Sequence, residues 1–345
     1  MTRAARVEGT PTVPSRWLLR LDTVLRAAGL EGALTKNTDV LDWQRLIDEA
    51  TATTPMAPPA PCPPVEARPR KLSVTEIETW RRDPYAIYAR HVLGLKALDP
   101  LDQDPGAADR GIIIHDALAN FLRAYPTHLP PDALAKLLAL GEESFGAALA
   151  RPGVWAFWWP RFKRIAQWVV EEEARRRPLL DQIFAEIGGK LVLDGPLGKF
   201  ELTGRADRVE RRRDGSIALI DYKTGGAPAA KEVEQGYAPQ LPLEAAMIEQ
   251  GGFASIAKAK VGELAYWRLS GGDPAGEIKS PERDAEKLRA VITGALEGLH
   301  ELIAAFDNPA TAYLARPNPE KAPRYSDYTH LERVKEWLPG GEVEE

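Results

Sequence analysis

Residues 204–225, GRADRVERRRDGSIALIDYKTG, constrain the fold more than any other stretch of the chain. Asp-Gly between two runs of strand-forming residues marks a tight hairpin, because left-handed φ angles there suit the twist of paired strands. Asp214-Gly215 separates the run 208–212 from the run 217–223. Such a hairpin brings Asp207, at the end of one run, back beside Asp221, at the end of the other. Residues i and i+2 of a strand share a face, so Asp221 and Lys223 point the same way. Two carboxylates and a lysine then converge where the sheet ends. Either carboxylate alone would also suit an exposed hairpin. However, Asp221 follows the apolar run IALI, which reads as a buried strand where a merely solvated charge is not expected. Thr224-Gly225-Gly226 then breaks the strand at once, as site-forming loops do. Hard divalent cations need carboxylate oxygens with open positions for water and phosphate. A nearby lysine can orient water or offset charge developing on phosphate.

The flanks read as helices around a hairpin-rich sheet. Ser73 followed by Glu76 is a capping-box signature, so a helix starts there. Helical spacing recurs over 131–149, 161–177, 238–249 and 284–306, and Ile112, His115, Leu118, Ala119 and Leu122 fall on one helical face. Short strand runs are expected at 183–187, 191–193, 199–206 and 263–269, broken by Gly and Pro. Residues 51–70 hold seven prolines and predict an extended linker. The expected division is a helical segment 1–50, too small for a secure core of its own, the linker 51–70, and a compact domain 71–345. Helices, then sheet, then helices indicate an α/β or α+β core.

Composition narrows function. With 45 Lys+Arg against 50 Asp+Glu the net charge is −5, so nucleic-acid binding would rest on local patches. Arg205, Arg208, Arg211, Arg212 and Arg213 cluster around the hairpin, where a phosphate backbone would need a basic rim. Arg161, Lys163, Arg164 and residues 175–177 lie on the preceding helix, partly neutralised by residues 171–173. Trp155, Phe157, Trp158 and Trp159 suit core or partner packing better than base stacking. The single cysteine, Cys62, cannot build a disulfide framework, a cysteine-ligated zinc site or an iron–sulfur cluster, and it fits a reducing compartment. No apolar run reaches the roughly 18 residues of a membrane span, so a soluble, cytoplasmic protein is expected. The chain lacks GxxxxGK[ST], so no ATPase activity is expected here.

Asp207, then Asp221-Tyr222-Lys223-Thr224-Gly225, preceded by Gly111-Ile112-Ile113-Ile114-His115 and followed by Gln240-Leu241, resembles the RecB-like branch of the PD-(D/E)xK nucleases. More narrowly, the chain resembles the C-terminal part of the AddB family, subunits of helicase–nucleases that process double-strand breaks. Thr2-Arg3-Ala4 with Ser15-Arg16-Trp17 resembles the last motif of that family's inactive helicase-like part, and 325–337 resembles its C-terminal tail. The resemblance implies a fragment of a longer protein. Its fold would be a restriction-endonuclease-like αβα core, a mixed central sheet flanked by helices, with a helical remnant of a helicase-like domain at the N-terminus. It implies Asp207 and Asp221 as metal ligands, His115 as a further ligand and the Tyr222 carbonyl as another. Lys223 would be the catalytic lysine, and Gln240 would help place the lysine and the DNA. On periodicity alone His115 also suits a core position. The implied cofactor is Mg²⁺, with Mn²⁺ able to substitute. The implied substrate is single-stranded DNA leaving a helicase motor, and the implied partner is an AddA-like helicase–nuclease subunit; no membrane is involved. The sequence departs from the family at two points. Many AddB proteins carry four cysteines that hold an iron–sulfur cluster; one falls where Asp83-Pro84 stands here, and this chain would rely on packing of its C-terminal tail instead. Four residues after Gln240 the family often has tyrosine, where this chain has Glu244. The rival readings are a catalytically silent nuclease fold that binds DNA or a helicase partner, and a phosphohydrolase of small substrates.

Overall fold

The computed structural model describes residues 6–7, 10–33, 39–49, 57–98 and 104–337, leaving out the side chains of 40 and 41. Thr2-Arg3-Ala4 of the helicase-like motif lies outside the described residues, as do 51–56 of the proline-rich stretch. The chain divides into two compact units, one ending at Met56 and one starting at Ala57. In the first, two short strands (Arg6–Val7 and Thr10–Pro11) pair antiparallel, and helices Arg16–Ala27 and Asp39–Asp48 follow. The helix Arg16–Ala27 buries none of its side chains, and Trp17 is exposed, as the small size of this segment leads one to expect.

The second unit opens with β1 (Lys71–Ser73) and α1 (Val74–Arg82). Ser73 Oγ accepts from the Glu76 N–H at 3.2 Å and Glu76 Oε2 accepts from the Ser73 N–H at 2.9 Å, which is the predicted capping box. After a short helix Pro84–Ile87 come α2 (Ala107–Ala124), α3 (Ala133–Phe145) and α4 (Trp159–Arg176). The sheet follows as β2 (Leu180–Gly195), β3 (Gly198–Arg212), β4 (Ile217–Lys223), β5 (Val261–Arg268) and β6 (Glu277–Lys279). Between β4 and β5 lies α5 (Gln240–Gln250), and α6 (Ala285–Asp307) follows β6.

The strand order is β1-β3-β4-β5-β6, with β2 along the other edge of β3; β1/β3 and β4/β5 run parallel and the remaining pairs antiparallel. Successive residues of a strand face opposite ways. Ile217 and Leu219 therefore join α1, α5 and α6 in one core, while Ile220 and Tyr222 join α2, α3 and α4 in another. This is the expected three-layer arrangement of a mixed sheet between helices. Strand β4 is buried on both faces from Ile217 to Tyr222, which explains its unbroken apolar run.

The strands are longer than their sequence breaks suggest. Gly188-Gly189 does not interrupt β2. A Cβ on Gly189 would sit 2.7 Å from the Phe253 ring, so glycine there admits a close approach rather than a turn. The turn falls instead at Gly195–Gly198, with Gly198 at φ +108°. Asp207 consequently lies within β3 rather than at a strand end. Strand β1 pairs with β3 only over 201–203 and β4 only over 208–211. The intervening stretch of that edge is where the strands part and the site forms.

The proline-rich stretch is packed in its second half. Arg68, 5% exposed, donates to the carbonyls of Phe306 (2.7 Å), Asn308 (3.0 Å) and Pro309 (3.0 Å), satisfying acceptors at the end of α6. Proline rigidity suits such an extended, docked segment better than a free linker. At the other end of the chain, Tyr328 and Trp337 pack with Tyr85, Ala86, Ala89 and Ala315, and Val334 is buried, while Tyr325 is exposed. Ser326 Oγ lies 3.3 Å from Asp83 Oδ2 and 3.0 Å from Glu332 Oε1, and Arg316 Nε lies 3.1 Å from Glu332 Oε2. Burial, with Glu332 adding to it, pushes the Asp83 carboxyl up to about 7. Among the described residues no helix is long and apolar enough to cross a membrane.

Candidate functional site

Register assembles the site. Ala185 pairs with Arg208 and Ile187 with Ala206, so Glu186 of β2 stands across from Asp207 of β3. Arg208 pairs with Ile220, which carries Asp207 on to stand across from Asp221 of β4. Three acidic residues thus lie abreast on neighbouring strands. Helix α2 brings His115 over them: its Nδ1 is 3.5 Å from Asp207 Oδ2 and 3.9 Å from Glu186 Oε1. Ligand-capable atoms of His115, Glu186 and Asp207 all lie within 4.8 Å of one another. Asp207 Oδ2 also accepts from the Tyr222 N–H at 2.8 Å, and the Tyr222 ring packs edge-on against His115. Glu186 holds φ +53°, a conformation that costs a non-glycine residue about 1 kcal/mol or more.

Asp221, 2% exposed, directs its carboxylate to a second group. Lys223 Nζ lies 2.8 Å from its Oδ2, and Gln240 Nε2 donates to its Oδ1 at 2.8 Å. Gln240, the first residue of α5, also accepts from Lys223 Nζ at 3.2 Å and lies 3.4 Å from Glu244 Oε1 one turn on. Lys223 and Asp221 share a face of β4, as the i, i+2 spacing predicts.

The electrostatics are those of crowded, partly desolvated anions. Burial pushes the Asp221 carboxyl up to about 6, with Asp207 adding and Lys223 opposing. Burial, then the charge of Asp207, raises Glu186, while Arg205 and His115 oppose. Burial followed by Asp221 and Asp207 raises Glu244 far above the carboxylate range. Burial works against the charges of His115 and Lys223, but Asp207 and Asp221 respectively outweigh it, so both are raised. Three half-buried donors, two carboxylates and an imidazole, within one ion's reach suit a hard divalent cation, whose charge would relieve this repulsion.

The hairpin arginines do not form the expected basic rim around these groups. Arg208 is fully buried between Glu173 and Glu210, with its guanidinium 4.9 Å from the Trp267 ring centre. The expectation that it contacts DNA is corrected. Arg208 pairs with Ile220 within the sheet and its side chain turns into the α4 layer, where two acidic partners hold it. Arg211 pairs with Asp181 at 2.6 Å, and Arg212 with Glu263. Arg213 sits at the hairpin turn, about 20 Å along the strand from Asp207. Arg205 is exposed and holds Glu186, its Nε 2.6 Å from Oε2. The aromatic cluster splits: Trp159 stacks on Phe162 in the core, whereas Trp155 is 56% and Phe157 69% exposed.

Glu186 is the site residue that sequence reasoning missed. The cue was present, since it interrupts the run IFAEI as Asp221 ends IALI. Its partner strand, however, was not deducible from spacing. Glu244 stood out in the sequence only as a departure; the structure places it under Gln240.

Several proteins resemble this chain. An uncharacterised protein of Rickettsia bellii is 32% identical over 185 residues, covering 54% of this chain and 22% of that protein. An uncharacterised protein of Rickettsia felis is 28% identical over 264 residues, 72% of this chain and 30% of its own length. An ATP-dependent helicase/deoxyribonuclease subunit of Moorella thermoacetica is 30% identical over 203 residues, 51% of this chain and 17% of that protein. The chain thus spans less than a third of the length of these curated relatives. The profile of the PD-(D/E)XK nuclease superfamily matches residues 71–322, which include both groups of site residues. The chain belongs to the PD-(D/E)XK nuclease superfamily.

Proposed function

We propose that the chain is the nuclease part of a longer, helicase-associated protein and hydrolyses phosphodiester bonds of single-stranded DNA during processing of double-strand ends. The observation that carries this reading is the meeting of His115, Glu186 and Asp207 beside the Asp221–Lys223–Gln240 group within the superfamily domain. His115, Glu186, Asp207, Asp221 and the Tyr222 carbonyl would hold a divalent cation, Mg²⁺ with Mn²⁺ as substitute. Such an ion supplies Lewis-acid stabilisation of charge on phosphate oxygens. The protein's own groups do the rest. Lys223, held by Asp221 and Gln240, puts an ammonium where negative charge grows on phosphorus-bound oxygens. A water oxygen forms the new bond to phosphorus as the bond to the leaving oxygen breaks; the attacking water gives up a proton to solvent and the leaving oxygen takes one up from solvent. Gln240 fixes the lysine's direction, and the buried Glu244 carboxyl anchors Gln240. The similarity to a helicase/deoxyribonuclease subunit supports a helicase–nuclease partner of the AddA kind.

The test is cleavage of end-labelled single-stranded DNA by the purified chain in Mg²⁺, with an EDTA control. Cleavage in Mg²⁺ that EDTA stops, and that Asp221→Asn lowers at least about a hundredfold, is expected. DNA binding with no cleavage in either Mg²⁺ or Mn²⁺ would leave the silent-module reading instead.

A further inference from the structure

Arg205, Arg208, Arg211 and Arg212 are spent on carboxylates and Arg213 lies at the distant hairpin turn, so the question is which cations are left to meet a phosphate backbone. Among the described residues no carboxylate pairs with Arg110, Arg161 or Arg164. Two of them donate to main-chain carbonyls: Arg110 Nη2 to Thr224 at 3.5 Å and Arg164 Nε to Gly271 at 2.7 Å. Arg110 stands one residue before Gly111, whose Cα is so near the site loop that a Cβ there would lie 3.3 Å from Thr224 Oγ1. Thr224 follows Lys223 directly, so this cation stands beside the reacting groups. Arg161 lies against Gly271 of the β5–β6 turn, where a Cβ would come within 2.6 Å of the Arg161 Cβ. Burial and then the like charge of Arg161 lower the Arg110 pKa, in keeping with two cations that serve the same end of the sheet. Such an arrangement costs free energy in the free protein and is relieved by an incoming anion.

The second observation is apolar. Trp155 and Phe157 stand out to solvent on the turn that leads into α4, Phe157 one turn before Arg161. Large exposed aromatics beside unpaired arginines are the two components of a surface that binds unpaired bases: cations track the phosphates and rings stack on bases. Beyond Arg164 the groove between α4 and the β5–β6 turn carries Glu171 and Asp273, which repel a phosphate and end the track there.

We propose that a single DNA strand reaches the site across the N-terminal ends of α2 and α4, its phosphates on Arg110, Arg161 and Arg164 and its bases stacked on Trp155 and Phe157. This rests on the nuclease reading above but makes a separate claim, the path of the strand, and can fail separately. Binding of a fluorescent oligothymidylate is measured by anisotropy in EDTA, where no cleavage occurs, across a range of salt concentrations. Arg110→Ala with Arg161→Ala is expected to weaken binding at least tenfold and to reduce the salt slope by about 1.4, since each phosphate contact on a single strand contributes roughly 0.7. Trp155→Ala with Phe157→Ala is expected to weaken binding by about fivefold or more with little change in slope, because stacking is not ionic. Arg110→Lys with Arg161→Lys keeps the charge and the slope, which separates lost charge from misfolding. Lys199→Ala, at the far tip of the β2–β3 hairpin, leaves binding unchanged. An unaltered salt slope in the double arginine variant, or tighter binding of duplex than of single strand, overturns the proposal. Intact binding through these residues with no cleavage in Mg²⁺ would defeat the nuclease reading and leave the track standing.

Discussion

Replacing Arg208 separates a stabilising role from a DNA-binding one. Its side chain is 0% exposed and bridges two carboxylates that are themselves 0% exposed: Glu173, which Nη1 meets, and Glu210, 2.6 Å from Nη2. Nη1 also lies 3.4 Å from the Tyr222 hydroxyl, and the guanidinium covers Trp267. Arg177 and Arg176 remain as partners, Arg177 Nε 2.5 Å from Glu173 and Arg176 Nη2 2.6 Å from Glu210. Arg208→Ala therefore leaves two buried anions with one partner each instead of two. Breaking a buried pair costs about 3–5 kcal/mol, against roughly 0–1 kcal/mol for an exposed one. Typical domains have only about 5–15 kcal/mol in total, and each kcal/mol moves Tm by about 2–4 °C at this size. The expected loss is about 6–20 °C by scanning calorimetry. Arg208→Lys should recover part of it, since an ammonium keeps a positive charge beside both anions while Arg176 and Arg177 keep their partners. A Tm within about 2 °C of the parent, accompanied by weaker DNA binding, would refute the reasoning and restore Arg208 to the surface.

Three further outcomes are expected. Glu186→Gln should weaken Mn²⁺ binding by calorimetry at least about tenfold, while the unfolding midpoint in EDTA holds or rises because a repelling carboxylate is gone; an equal loss of metal-free stability would mark Glu186 as structural. Asp83 has a folded pKa of about 7 against an ordinary value of 3.8, so its contribution to stability is present below about pH 4 and lost as pH rises through about 7. Asp83→Asn should then match the parent at pH 4 and exceed it at pH 8 by up to a few kcal/mol, a gap that a pH-independent difference in Tm would contradict. Gly189→Ala should cost about 1–3 kcal/mol in urea unfolding because of the 2.7 Å approach to Phe253, and Phe253→Leu in the same chain should return part of it.

Covalent neighbourhood determined what the sequence alone could show. The Asp214-Gly215 turn and the two-residue period place Asp207, Asp221 and Lys223 near one another whatever the rest of the chain does. The Ser73 cap and the long apolar stripe of α6 are likewise local facts, and the helices form where those patterns run. Tertiary structure decided whatever depends on a partner far along the chain. Glu186 joins His115 only because β2 runs antiparallel to β3 in one register and α2 packs over both; a slip of one residue would turn it to the opposite face. Arg68 becomes a buried cap because α6 ends beside it, some 240 positions later. The arginines of one short segment divide by what stands opposite each: Arg208 meets buried acids of α4 and β3, Arg212 meets Glu263 of β5, and Arg205 meets Glu186. A run of like charges reads as one surface in sequence, but a strand alternates its faces and each face meets different elements. Which of those charges is free to bind an anion is therefore settled only when the sheet and its helices come together.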